Sequence, residues 1–315
     1  MYQTKSSILF IIFNRLDTTL KVLAQIKLAK PKKLYITADG PRPGRAEEAI
    51  KCANVITAVL DFIDWECEVF TLLRAENVGP KEAISSAIDW FFENEDEGII
   101  LEHDCLPAPT FFSYCDNLLE RYRDDKRIWL ISGFNFNTKK KWGDASYYFS
   151  NLTNGWGWAT WKRSWASYDK NLNQFEAEEI QEPLMQIFGD KLIVDRWVEI
   201  FNDTKAGKID TWDYQVTFAH LLGHSLTVVP NYNLVSNIGF GEFAENTLNA
   251  NSPFANVPLE EIEELKHPNI IMPQDQADYN LLFEEFGLRD KIAEIKRNNT
   301  KKKRLKRWLK KIFSF

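Results

Sequence analysis

Five short apolar runs, separated by helix-length segments, fill the first 134 residues, and that alternation constrains the fold more than any other feature. "SSILFIIF", "KKLYITA", "CEVFTLL", "EGIIL" and "RIWLISG" have strand length and are apolar over most of it. Runs of this kind are strands buried on both faces. Helical spacing covers residues 17–29, with Asp17 as N-cap, and residues 46–62, 82–92 and 110–122. Strand–helix–strand repetition predicts an α/β fold with a mostly parallel sheet and helices on both faces. Ligands of such sheets sit beyond the carboxyl ends of the strands. The polar stretches "FNR", "ADGPR", "AENVGPK" and "EHD" collect there.

The rest of the chain reads differently. Residues 135–168 are aromatic and loop-rich, with Trp142, Trp156, Trp158, Trp161 and Trp165. Residues 176–206 have helical spacing, "IDTWDYQVTFAHLLGH" reads as a loop entering a helix, and "SLTVVP" reads as a strand. Residues 246–273 are irregular, and there is no internal repeat or long linker. With 44% apolar residues in 315, the chain can bury a sizeable core. The apolar run at residues 8–13 is too short to span a bilayer and lacks a cleavage site after a basic flank, which predicts no signal peptide. The four cysteines form no CxxC pair and read as reduced structural thiols of the cytosol.

Charge is unevenly distributed. Residues 296–315 hold ten of the 39 Lys and Arg and no acid, leaving 29 basic against 45 acidic residues in the body. An acidic body repels phosphate backbones, which argues against nucleic-acid binding. In the tail, Leu305, Trp308, Leu309, Ile312 and Phe313 recur at helical spacing and make one apolar stripe between basic flanks. Such a helix lies in a membrane interface without spanning it. A helix docked on the acidic body and a disordered basic end are the other readings.

The fourth run ends on Glu102, His103 and Asp104. In an extended segment the two acids face the same way. Acids so placed suit Mn²⁺ or Mg²⁺ carrying a diphosphate, since these ions take oxygen ligands and often only one or two carboxylates beside substrate phosphates. A solvated strand end with a helix cap is the plainer reading.

"LEHDCLPAPTFFSY" resembles the acidic triplet, proline and Phe-Phe helix of the nucleotide-sugar-dependent glycosyltransferases of the GT-A fold, in particular the inverting N-acetylglucosaminyltransferase I type and related bacterial sugar transferases. The resemblance implies a Rossmann-like GT-A fold and a metal bound by the triplet's last acid, here Asp104. His103 departs from the pattern; a neutral imidazole ligates Mn²⁺ or hydrogen-bonds a ribose. "IFNRLDTTLKVL" is similar to the family's first strand and loop, which carries a nucleotide-holding role onto Asn14 and Arg15. "YITADGPR" is similar to the second strand end, which makes Asp39 the acceptor of a uracil N–H, with Gly40 allowing close approach. "ENVGPKEAISSAIDWFF" matches the segment before the acidic strand and brings Lys81 toward the diphosphate, unless that lysine is a solvated first-turn residue.

"TNGWGWATWKRSW" is similar to the family's acceptor-side segment and carries that role onto Trp156, Gly157 and Trp158, with Trp212 further along; tryptophans at this spacing also serve as core. "IDTWDYQ" is similar to the segment presenting the catalytic base, which falls on Asp213, with Asp210 as second choice. The resemblance covers roughly residues 5–240 and implies three regions: a nucleotide-sugar-binding half at 1–134, an acceptor-binding and catalytic-base half at 135–290, and a basic tail at 291–315.

The resulting expectation is a metal-dependent, inverting glycosyltransferase. It would use a nucleotide diphosphate sugar, foremost a UDP-sugar, and a saccharide or lipid-linked saccharide acceptor. It would be cytoplasmic and peripheral on an anionic inner membrane face. A retaining mechanism stays open. A nucleotidyltransferase of related fold is one alternative, although "FNRLDTT" lacks the glycines of that class. A non-catalytic membrane-bound interaction module is the other.

Overall fold

The computed structural model describes residues 2–137, 140–241, 252–284 and 288–313. The elements in chain order are β1 (Ile8–Ile12), α1 (Leu16–Ala29), β2 (Lys33–Ala38), α2 (Ala46–Phe62), β3 (Glu68–Leu73), α3 (Pro80–Asn94), β4 (Glu97–Glu102), β5 (Cys105–Pro107), α4 (Pro109–Arg121) and β6 (Ile128–Ser132). They continue with β7 (Tyr147–Ser150), β8 (Trp158–Trp161), α5 (Lys162–Trp165), α6 (Ala177–Phe188), α7 (Lys191–Lys205), α8 (Asp213–Leu222), β9 (Leu226–Pro230), β10 (Val235–Asn237), α9 (Asp275–Glu284) and α10 (Leu288–Phe313).

All five expected runs are strands of one eight-stranded sheet, ordered β3-β2-β1-β4-β8-β6-β9-β7. β1 pairs parallel with β2 and β4, β2 with β3, and β6 with β9. Around β1 the sheet is covered on both faces, as alternation requires, whereas the edge strand β3, expected to be buried on both faces, is largely exposed. Ile8, Phe10 and Ile12 pack with Val22, Leu23 and Ile26 of α1, Val55 and Val59 of α2, and Phe111 and Phe112 of α4. Leu9 and Ile11 pack on the other side with Ile84, Ile88 and Phe91 of α3 and Val216 of α8. The chain thus has the mostly parallel, Rossmann-like α/β architecture expected.

Three local expectations change. The tryptophan-rich region is not simply loop: it contributes β7 and β8, and β8 runs antiparallel between β4 and β6 in the middle of the sheet. The helical stretch at 176–206 is two helices, broken where Gly189 takes a left-handed φ of 62° and Asp190 caps α7 through Leu192 N–H at 2.8 Å. Asp17 lies in the first turn of α1; the N-cap is Arg15, with no side-chain capping bond.

Helices α6, α7 and α8 form a separate apolar cluster around Trp197, Phe201 and Phe218, joined by Leu281 and Leu282 of α9 and Leu288 of α10. Beyond Ile292, the side chains of α10 described as far as Lys303 are all exposed, so over that stretch the helix does not lie on the body. The side chains of Leu305, Trp308, Leu309, Ile312 and Phe313 lie outside the described residues. Among the described residues no helix is long and apolar enough to cross a membrane.

Candidate active site

The parallel strands β1, β2 and β4 end on one rim of the sheet, and a cavity of about 390 Å³ opens there. Asn14 and Arg15 enter it from the end of β1, Asp39 and Arg42 from the end of β2, and Glu102, His103 and Asp104 from the end of β4. The facing wall is built by Thr153, Asn154, Gly155 and Trp156 ahead of β8, and by Asp210, Trp212 and Asp213 at the start of α8. The two halves of the chain therefore share one site.

Asp104 follows β4 by two residues. Its backbone carbonyl accepts Ile238 N–H at 2.8 Å, which fastens the turn to the segment after β10. The carboxylate lies against Gly239, where a Cβ would collide with it. Arg15 fixes the same segment by donating to the Gly239 carbonyl at 2.7 Å. Among the described residues no Lys or Arg pairs with Asp104; the Cys105 thiol lies 3.6 Å from its Oδ1. That donor set fits a hard divalent cation held by one protein carboxylate, with the substrate's phosphates and water completing the shell. It does not fit a cage of protein ligands: no group of three His, Cys, Asp or Glu could hold a metal among the described residues.

Glu102 and Asp213 sit in the same electrostatic environment. The Glu102 carboxyl is pushed up to about 8, first by its enclosure and then by the charges of Asp104 and Asp213. Asp213 is the first residue of α8, and its exposed side chain lines the cavity. Enclosure raises its carboxyl above the usual carboxylate range, while the Thr211 hydroxyl and the backbone amides of Asp213 and Tyr214 hold it down in part. Thr211 donates directly to Asp213 Oδ1. An acid made more basic than a free aspartate suits proton abstraction.

Other expected residues stand in unexpected relations. Both oxygens of Asp39 already accept hydrogen bonds: Gly40 N–H at 2.9 Å and Val78 N–H at 3.0 Å on Oδ1, Asn77 Nδ2 at 2.8 Å and Gly79 N–H at 3.1 Å on Oδ2. This carboxylate clasps the loop before α3. Gly40 is needed for that clasp, because a Cβ there would strike the backbone of Glu76. Lys81 points away from the cavity and reaches Asn171 Oδ1 at 3.5 Å.

The tryptophans divide. Trp156 and Trp212 line the cavity. Trp158 is core, 1% exposed, with its ring stacked on Trp129 and on Trp212. Gly157 takes a left-handed φ of 66° and packs beneath Val235. Where an acceptor-side role was expected, Trp158 backs Trp212 from the core and Gly157 packs on Val235, because β8 is a central strand and its inward side chains have nowhere else to go.

Several residues of the site carry no signal in the linear sequence. Glu48 of α2 is 8% exposed and accepts Arg42 N–H at 2.8 Å, the Arg42 guanidinium at 2.7 Å and Asn14 Nδ2 at 3.5 Å. It thereby ties the ends of β1 and β2 together. Gly239 and Thr211 act on Asp104 and Asp213 from outside the motifs; only the Asn-x-Gly turn at 237–239, where Asn237 Oδ1 accepts Gly239 N–H at 2.8 Å, has a readable pattern.

No protein-family model matches the sequence, and no curated protein matches it. Among solved structures, the chain is similar to the mannosyltransferase PcManGT from Pyrobaculum calidifontis, in complex with GDP-Man and Mn²⁺, at 10% identity over 70% of each chain with a TM-score of 0.39. It is similar to a UDP-glucose pyrophosphorylase complexed with UDP-glucose at 11% identity over 74% of this chain and 94% of the other, with a TM-score of 0.37. The glycosyltransferase GlyE of Streptococcus pneumoniae TIGR4 is a third, at 9% identity over 70% of this chain and 44% of the other, with a TM-score of 0.32. At these scores the likeness is a partial one of fold, and what the site can do is read from its own residues.

Proposed function

We propose that this chain is a metal-dependent glycosyltransferase that takes a nucleotide diphosphate sugar, foremost a UDP-sugar, and inverts the anomeric centre. One observation carries the reading: one cavity holds Asp104, which pairs with no Lys or Arg among the described residues, at the strand ends and a second acid, Asp213, of raised basicity on the aromatic wall. Asn14, Arg15 and His103 border the nucleotide. Asp39 acts there indirectly, through the loop it clasps. Asp104 would hold Mn²⁺ or Mg²⁺ against the diphosphate, where the cation supplies charge neutralisation to the departing nucleotide.

Asp213 takes the proton of the acceptor hydroxyl as that oxygen forms its bond to the anomeric carbon. The bond to the diphosphate oxygen breaks on the opposite face, and the electron pair leaves with the nucleotide. Trp156 and Trp212 offer ring faces to the acceptor sugar. The second reading, a nucleotidyltransferase, needs a long glycine-rich loop after the first strand to cradle a triphosphate. Here only Phe13, Asn14 and Arg15 separate β1 from α1, which favours sugar transfer.

The acceptor we propose is a saccharide carried on a lipid, with the enzyme peripheral on an anionic inner membrane face through the 291–315 tail. The exposure of the α10 side chains described between Ala293 and Lys303 supports this against docking on the acidic body.

The test is a panel of UDP- and GDP-sugars with Mn²⁺, read as nucleoside diphosphate release and glycosylated product. Asp213→Asn keeps size but removes the basic oxygen; turnover is expected to fall by at least ~10²-fold, with UDP–Mn²⁺ affinity retained. Asp104→Ala is expected to abolish metal-dependent nucleotide binding in a folded protein. Release of pyrophosphate from a nucleoside triphosphate and a sugar 1-phosphate, with no sugar transfer, would establish the nucleotidyltransferase instead.

A further inference from the structure

The mechanism above leaves unused the acid that the fold buries most deeply among the described residues. Asp278 of α9 is 4% exposed. Three donors converge on its carboxylate: Ser150 Oγ at 2.5 Å, Asn151 N–H at 2.9 Å and Asn151 Nδ2 at 3.0 Å. No Lys or Arg pairs with it among the described residues. Burial pushes its carboxyl up to about 6; the bonds from Ser150 and Asn151 pull it down and Asp275 adds to the rise. A buried charge without a counter-ion is unfavourable unless its hydrogen bonds are made.

Those bonds fall on the start of the segment that becomes the aromatic wall of the cavity. Ser150 Oγ also accepts Leu152 N–H at 3.0 Å. The next residue, Thr153, shares a hydroxyl–hydroxyl bond of 2.5 Å with Thr217 of α8. Thr217 in turn donates to the backbone carbonyl of Asp213 at 3.2 Å. Asn154 Oδ1 then accepts Trp156 N–H at 3.0 Å, and Gly155 lies against the Trp212 ring. Two sets of hydrogen bonds, joined through the Leu152–Thr153 peptide, thus lead from α9 to the helix that bears the base.

We propose that Asp278 is a positioning residue for the acceptor: from α9 it clamps the 150–156 segment and so sets where Trp156 and Asn154 stand relative to Asp213. The inference rests on the reading of the cavity as a sugar-transfer site and adds a determinant of acceptor fit from outside that site. The nucleotide side hangs on other bonds, those of Asp39 and Glu48, and is independent of the clamp.

Asp278→Asn preserves shape and replaces one accepting oxygen by a donor that faces donors. Two readouts test it on the full chain. In amide hydrogen exchange, residues 150–156 are expected to exchange at least about tenfold faster, with residues 76–79 unchanged. In kinetics, the acceptor KM is expected to rise at least about fivefold, with the UDP–Mn²⁺ Kd and the rate of donor hydrolysis by water held within about twofold. Ser150→Ala, which removes one of the three donors, should shift both in the same direction by less. Exchange that rises equally at 76–79, exchange unchanged at 150–156, or donor and acceptor parameters that worsen together would each overturn the clamp. A wild-type protein that transfers no sugar would overturn the functional reading, while the exchange comparison would still decide whether Asp278 holds the segment.

Discussion

At the scale of single residues, the space around Asp104 is set by an absent side chain. Gly239 has no Cβ, and the Asp104 carboxylate occupies the room a Cβ would take. Gly239→Ala must displace the carboxylate or the backbone that Arg15 holds through the Gly239 carbonyl. Calorimetric titration of the variant with UDP and Mn²⁺ is expected to show affinity reduced at least about tenfold, comparable with losing a charge-assisted contact, while UDP alone binds as before. Equal affinity with Mn²⁺ would mean that Asp104 has no part in holding the cation. Asp104 stands out in sequence because it follows the end of an apolar run. Gly239 does not, because its role is defined by a neighbour 135 positions earlier.

At the scale of elements, α8 joins the base to the core. Asp213 opens the helix, and His220 lies two turns on, 0% exposed, with Nε2 3.2 Å from the Thr227 hydroxyl of β9. Burial lowers the His220 imidazole from its ordinary value to about 3. The folded state therefore keeps His220 neutral at pH values where the unfolded chain, near pKa 6.5, takes up a proton. With more protons bound in the unfolded state, stability falls as pH drops from about 6.5 toward about 3. At pH 5 the contribution lost is about 2 kcal/mol. His220→Gln, which retains a polar partner for Thr227, is expected to lose about 2 kcal/mol less than the wild type between pH 7 and pH 5 in urea unfolding. The same dependence in both proteins would show that His220 is protonated in the fold. Helix α8 was legible as a loop entering a helix, and Asp213 fell at its first position; that its far end is buried against β9 was not, since "LTVVP" names no partner.

For the whole molecule, charge separation is the dominant feature: ten basic residues in the last twenty against a body with an acidic excess. Helix α10 is anchored by Leu288 and Ile292 in the α6–α8 cluster and by a 3.3 Å pair between Lys291 and Glu199, and its described side chains from Ala293 to Lys303 are exposed. A chain ending at Asn298 retains those anchors and loses eight of the ten basic residues. The full chain is expected to co-sediment with anionic liposomes at low salt and to be released as salt screens the attraction, each basic residue near the surface contributing about 1 kcal/mol. The shortened chain is expected to stay in solution with unchanged turnover on a soluble acceptor. Equal sedimentation of the two forms would place any membrane contact elsewhere.

The sequence by itself determined the alternating strands and helices, and hence a covered, mostly parallel sheet with its functional rim at the strand ends. Local physics suffices there: "ILFII" and "KLYITA" have no alternative to burial on both faces, and the polar residues that end them must face out at the rim. Tertiary structure alone decided which strands are neighbours, and with it the roles of the tryptophans. β8 inserts antiparallel between β4 and β6, which turns Trp158 into core and leaves Trp156 and Trp212 on the cavity wall. It also decided what each acid does. Asp39, Asp104, Asp213 and Asp278 are the same side chain in sequence. One clasps a loop, one lies against a glycine, one is made more basic by enclosure, and one accepts hydrogen bonds from a distant turn. A carboxylate's chemistry follows from the donors and the water around it, and those are supplied by residues remote along the chain.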